Sequence, residues 1–177
     1  MVMTVSAGQP GANPGGAPAR ADSPRTGGAR VVPIPPPLYY VAAFVGGRLL
    51  DQWTHWRIGG GWVSSALGWI TIVGGLGLVA WAIVGVVVHR TTIVPHHPVA
   101  ALLTSGAFGR SRNPMYTGLA VAYVGLTLVT GSWWPLATLP LAVAAVRILV
   151  IGPEERYLAT EYAEEFAEYR VRVRRWF

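Results

Sequence analysis

Between Leu67 and Val88 the chain runs for 22 residues without a charged side chain. As a helix this stretch is about 33 Å long, enough to cross the ~30 Å hydrocarbon core of a bilayer. Lipid offers the backbone no hydrogen-bond partners, so a chain committed to it must satisfy its amides within helices or a closed barrel. Three more apolar segments point to helices. The first runs from about Leu38 to Leu50, reaching towards Trp53, and carries Arg48 and Asp51. The third spans Met115 to about Gly131, and the fourth runs from Trp133 to Ile151 with Pro140 and Arg147 inside it. Only Gly131 and Ser132 separate the last two, which predicts a tight antiparallel hairpin. The expected fold is all-α: a polytopic membrane bundle of about four transmembrane helices, followed by a cytosolic amphipathic C-terminal helix.

Charge is scarce and asymmetric. Only 12% of the residues are charged, against about a quarter in soluble domains, too few to solvate an ordinary surface. Residues 1–37 are rich in Gly, Pro, Ala and Ser and read as a disordered tail rather than a secretory signal. Residues 38–177 form the expected membrane domain. Arginines 20, 25, 30, 90, 110, 112, 156, 170, 172, 174 and 175 fall in segments that share one side of a four-span topology, and the opposite loops offer Arg57. Positive-inside bias then puts both ends in the cytosol, with basic residues meeting lipid phosphates rather than nucleic acid. The absence of cysteine excludes disulfides and thiolate metal sites. His96 and His97, being adjacent, do not share a helix face and make a poor metal pair, so no metal is expected.

Small residues predict the packing faces. Gly74, Gly77, Trp81 and Gly85 form one stripe of the second helix; Gly118, Ala122 and Gly125 form one on the third. Such stripes let helix backbones approach closely in lipid.

Chemistry concentrates in two cytosolic segments. In Thr104–Gly118, Asn113-Pro114 is a helix start, with asparagine at the cap and proline at the first helical position. The third helix therefore presents its positive dipole end to the cytosol beside Arg112, an arrangement suited to an anion. Gly106 and Gly109 allow the preceding loop close to a ligand. In the second segment, Gly152–Phe177, Pro153 predicts the start of a new helix, with Glu154 and Glu155 in its first turn. Helical spacing aligns Glu154 with Leu158, Tyr162, Phe166 and Tyr169, so Glu154 is expected to face inward and need a partner, while Glu155 reads as an ordinary N-terminal charge. Arg147, within the fourth apolar run, is a functional candidate, with Glu154 or a substrate carboxylate as its expected partner.

At these segments the chain resembles the isoprenylcysteine carboxyl methyltransferase and phospholipid methyltransferase superfamily. The family pattern is a Thr/Ser-Gly lead-in, Arg-His-Pro-x-Tyr-x-Gly opening a helix, a helical hairpin, Glu-Glu and an aromatic tail ending in basic residues. Here it reads Ser105-Gly106, Arg112-Asn113-Pro114-Met115-Tyr116-Thr117-Gly118, the hairpin, Glu154-Glu155, Tyr169 and Arg172 to Trp176, covering roughly residues 65 to 177. The resemblance implies a bacterial-type enzyme, in the inner membrane, that holds S-adenosylmethionine in a cytosol-facing pocket and methylates a lipophilic or membrane-associated acceptor. By motif position it assigns Gly106, Phe108, Arg112, Asn113, Pro114, Tyr116, Glu154 and Glu155 to the cofactor, with Glu154 and Arg147 as the catalytic candidates. Asn113 stands where the family has histidine, so any role that needs an imidazole is lost. The glycine often found before the last aromatic cluster is replaced near Tyr162-Ala163, which would let the tail helix run on.

Two other readings compete. Sterol-reductase-like membrane proteins have similar C-terminal helices but use NADPH, whose phosphates need more positive charge than Arg110 and Arg112 obviously supply. A non-enzymatic scaffold would explain the helices and leave the paired motifs without a purpose.

Overall fold

The computed structural model describes residues 34–59, 61–88 and 102–177. Most of the expected N-terminal tail, Arg90, His96 and His97 lie outside these residues. The described chain is helical: α1 (Pro36–Thr54), α2 (Trp62–Val88), α3 (Pro114–Thr130), α4 (Trp133–Val146), α5 (Gly152–Glu161) and α6 (Ala163–Arg172), with a 3-10 turn at Gly106–Gly109. Among the described residues there is no β-strand, and Arg57 and Ser132 make an isolated antiparallel bridge. Two continuous helices, Trp62–Val88 and Trp133–Glu161, are long and apolar enough to cross a membrane. Their outer faces carry exposed Ile70, Val73, Val84, Leu141 and Ile148, a surface that water does not tolerate at this density.

α1 is longer than its apolar core because its two charges cancel. Arg48 Nη1 lies 2.8 Å from Asp51 Oδ2, one turn along the helix, and Asp51 is buried. Pro36 and Pro37 open the helix, where their missing N–H groups cost nothing. At its other end His55 adopts φ 50° and its N–H closes on the Asp51 carbonyl.

The α3–α4 hairpin is built as its two-residue linker dictates. Gly131 takes φ 65° to terminate α3, and the Ser132 hydroxyl accepts the Trp134 N–H to cap α4. The α1–α2 connector pairs with this turn through Ile58 N–H to Gly131 O (3.0 Å) and Trp133 N–H to Trp56 O (2.9 Å). Trp56 packs on Trp133 and Trp134, giving this end of the bundle an aromatic cluster.

α2 packs chiefly on α3, and α1 on α4. The α3 stripe is the expected Gly118, Ala122 and Gly125, but the α2 stripe is not. A Cβ on Gly74 or Gly77 would meet nothing within 4 Å, whereas one on Gly75 would lie 2.5 Å from Ala122 N and 2.6 Å from Gly118 O. Gly68 meets Gly125 in the same way, and Ala82 continues the row fully buried. The contact stripe therefore recurs every seven residues, the spacing of a left-handed helix pair. Polar clips hold α1, α3 and α4 together: Tyr40 Oη donates to Tyr116 O (3.1 Å), Tyr123 Oη donates to Pro135 O (2.7 Å), and Thr138 Oγ1 sits 2.9 Å from Ala43 O.

Two expectations about the C-terminal third are altered. Pro153 does stand in the first turn of α5 with Glu154 and Glu155, but that helix is not separate: α4 runs into it through a π turn, Arg147–Ile151, in which the Gly152 N–H reaches back to Arg147 O. The wider turn accommodates a proline that would crowd a regular helix. Nor does the tail helix run on, because Tyr162 at φ −127°, ψ 50° breaks it and α6 starts afresh.

The two glycine faces make a direct comparison possible. Gly75→Ala should lower stability by about 1–3 kcal/mol, as overpacking does. Gly74→Ala should be neutral or stabilising by up to about 1 kcal/mol, through helix propensity. Denaturant titration of the detergent-solubilised protein, followed by tryptophan fluorescence, would show both, and equal behaviour of the two variants would contradict the packing.

Candidate functional site

The loop before α3 is shaped by its glycines and held from two sides. Gly106 at φ 61° enters the 3-10 turn, with Ala107 buried beneath it. Arg110 stacks over Trp81 of α2, its guanidinium carbon 5.1 Å from the ring centroid. From the other side the Tyr169 hydroxyl donates to Phe108 O at 2.6 Å. Burial pushes that hydroxyl up to about 12, which keeps it protonated and donating. Phe166, Tyr169 and Val173 form a small core with Leu102, Leu158 and Tyr162, anchoring α6 beneath the loop.

Beyond α6, Val173–Trp176 crosses back as a strap. The Arg112 N–H donates to Arg174 O (2.9 Å), and Ser111 Oγ and Asn113 Nδ2 both donate to Arg175 O at 3.2 Å. Trp176 packs against the main core. Asn113 occupies the cap position of α3, as expected, but its side chain makes no capping bond because it is turned to the strap. The start of α3 therefore keeps its positive end free of a side-chain cap. Pro114 and Tyr116 of the first turn are both buried.

An ion cluster stands beside that helix start. Glu155 Oε1 lies 3.1 Å from Arg112 Nη1, while Arg175 engages both Glu155 oxygens, at 3.1 Å from Nε and 2.5 Å from Nη2. Arg112 is largely buried, and its Nε and Nη1 have no hydrogen-bond partner among the described residues. The 3.1 Å approach of Nη1 to Glu155 is thus an ion pair without hydrogen-bond alignment. Burial pulls the Arg112 pKa down, with attraction by Glu155 opposing it. Two arginines around one carboxylate leave a net positive charge with donors to spare, an arrangement that asks for an anion.

Glu154 is placed differently from its neighbour. It keeps exposed surface on a wall crowded by protein, close enough to Tyr116 for the two groups to interact electrostatically. The expected order of the two glutamates is thereby reversed: Glu155 is the partnered carboxylate and Glu154 the open one. Arg147 opens the π turn and forms no ion pair with Glu154. It lines an open cleft of about 240 Å³ with Ile148, Ile151, Gly152, Glu155, Arg156 and Arg175. The structure thus brings Arg112, Asn113, Pro114 and Glu155 together through the strap, sets Gly106 and Phe108 in the adjoining loop, and puts Arg147 on the cleft behind Glu155.

Arg175, Ser111 and the docking role of Tyr169 escaped the sequence reading. Arg175 sits in a run with Arg170, Arg172 and Arg174, and nothing in the spacing marks it out. Only the return of the strap singles it out.

The family described as phospholipid methyltransferase has a sequence model that matches residues 63–165. That span takes in α2, the glycine loop, the start of α3 and both glutamates. The cobalt-zinc-cadmium resistance protein CzcN of Cupriavidus metallidurans is 34% identical over 137 residues, covering 77% of this chain and 60% of that protein. This chain therefore spans about three fifths of that relative's length. No solved structure matches. With its apolar helices, and with the family match extending over more than half of its residues, this membrane protein belongs to the phospholipid methyltransferase family.

Proposed function

We propose that this chain is an S-adenosylmethionine-dependent methyltransferase of the inner membrane, acting on a lipophilic or membrane-associated acceptor. The observation that carries the reading is Arg112: a largely buried guanidinium with two donor atoms that have no hydrogen-bond partner among the described residues, beside an uncapped helix start. This is a receptor for a carboxylate, and the methionine moiety of S-adenosylmethionine carries one. Its amino group and sulfonium are cationic and suit Glu154, the open carboxylate across from Tyr116. Gly106, at positive φ, and Phe108 form the neighbouring wall. When bound, S-adenosylmethionine supplies an electrophilic methyl group. The protein's part is to align it with the acceptor and exclude water, because in-line displacement is governed by positioning and electrostatics. A carboxylate or thiolate acceptor needs no general base. Arg147, on a cleft that also carries Ile148 and Ile151, suits the acceptor side, where an anionic or polar head would meet an apolar chain.

The proposed topology has four crossings, with α1 and α3 joining the two long helices and the site facing the cytosol. α3 is 17 residues long, about 26 Å, slightly less than the hydrocarbon core, a mismatch of a kind that local thinning of the bilayer accommodates. The Arg48–Asp51 pair lets α1 enter lipid without a net charge. This topology groups Arg110, Arg112, Arg156, Arg170, Arg172, Arg174 and Arg175 on the site's side of the membrane, which agrees with the positive-inside rule.

Calorimetry on detergent-purified protein tests the reading with S-adenosylhomocysteine as ligand. Arg112→Ala should weaken binding by about ten- to a hundredfold, the loss of a charged hydrogen-bonding group, and Glu154→Gln by several-fold. NADPH should not bind. Binding of NADPH in place of the methyl-donor product would instead support the reductase.

A further inference from the structure

Glu155 is divided unequally between its two arginines. Arg175 faces it as a fork, two donors on two oxygens, whereas Arg112 approaches one oxygen without alignment. Arg147 and Arg156 line the same cleft, but neither forms an ion pair with Glu155. The backbone fixes this division. The loop residues Ser111, Arg112 and Asn113 grip the carbonyls of Arg174 and Arg175, so the two guanidinium groups are held at a set spacing on either side of one carboxylate.

We infer that Arg175 is a positioning residue for Arg112: by occupying both oxygens of Glu155, it keeps that carboxylate from closing on Arg112, whose donors stay free for the ligand's carboxylate. The inference rests on the methyltransferase reading and concerns the regulation of that same site. A glutamate released from Arg175 needs only side-chain rotation to turn its second oxygen to Arg112. A two-point arginine–carboxylate pair is the strongest contact then available to it. Such a pair would consume the donors that Arg112 now holds in reserve, and the anion site would be neutralised from within. Arg175 thus acts at one remove, through Glu155, without touching the ligand.

A double-mutant cycle separates this from a merely structural role for the strap. Binding of S-adenosylhomocysteine, and of 5′-methylthioadenosine as a probe without the carboxylate, would be measured for wild type, Arg175→Gln, Glu155→Gln and the double variant. Arg175→Gln should weaken S-adenosylhomocysteine about tenfold or more and leave methylthioadenosine within about twofold. In the Glu155→Gln background the same substitution should have almost no effect, because no carboxylate remains to capture Arg112. An equal loss in both backgrounds would show that Arg175 acts by simple charge or by docking the strap, and would overturn the inference; so would a parallel loss of methylthioadenosine binding. If Arg175→Gln does not fold, Arg175→Lys carries the same cycle: it keeps the charge but cannot fork, so its loss should be intermediate and should again vanish with Glu155→Gln. Folded wild type that binds neither S-adenosylhomocysteine nor methylthioadenosine would overturn the methyltransferase reading itself. Wild-type binding with background-independent losses would sink only the role of Arg175.

Discussion

The approach of α2 to α3 sets the geometry on which the remaining structure depends. At Gly68, Gly75, Gly118 and Gly125 the two backbones are so close that a single methyl group would strike main-chain atoms. In lipid the attraction between apolar side chains gives little net drive to association, so close backbone packing has to supply it. The same contact carries the start of α3 up beside Trp81, on which Arg110 stacks. The loop that bears Arg112 is thereby tied to the bundle at both ends. α6 and the strap then close on it from the far side, each by hydrogen bonds to main-chain carbonyls. The site is a wedge between a rigid helix pair and a docked tail.

The helices were legible because lipid imposes a blunt rule: a charge-free run of sufficient length becomes helix. Even α1, the weakest signal, followed the rule once Arg48 and Asp51 paired with one another. The glycine faces were harder. In an amphipathic soluble helix the polar side excludes half the possibilities, but α2 is apolar all round. Gly74 and Gly75 are adjacent, so either could have belonged to the contact stripe. Only the positions of Gly118 and Gly125 across the interface decide between them.

The motif residues were legible in the sequence, and the contacts that join them in the structure were not. Arg112, Asn113 and the two glutamates stood out by motif, but their partners depended on backbone events that leave no periodic trace. The π turn at Arg147–Ile151 and the break at Tyr162 both interrupt the regular 100° step on which a helical projection relies. A projection through Glu154, Leu158, Tyr162, Phe166 and Tyr169 found the four apolar members of one cluster, although they sit on two helices, and misplaced only Glu154, which stays exposed. Asn113 illustrates the same limit. Its capping role is the local default, yet its amide is spent on Arg175, a residue 62 positions away in sequence.

Adjacent glutamates on a helix project about 100° apart, and here that separation puts the two carboxylates in different surroundings. Glu155 is drawn into the arginine pair, where its charge is needed to keep two like charges close. A carboxylate so occupied has little attraction left for a cationic ligand. Glu154, without an ion-pair partner among the described residues and next in sequence to Glu155, is the poorly stabilised charge of the two. It gains most from an incoming cation. On the other side of the ledger, Arg112 is the poorly satisfied cation and gains most from an incoming anion. A zwitterion that bridges Arg112 and Glu154 would relieve both deficits at once, whereas an isolated anion or cation would relieve only one. On the proposed reading, this pattern of unsatisfied charge favours an amino-acid-bearing ligand.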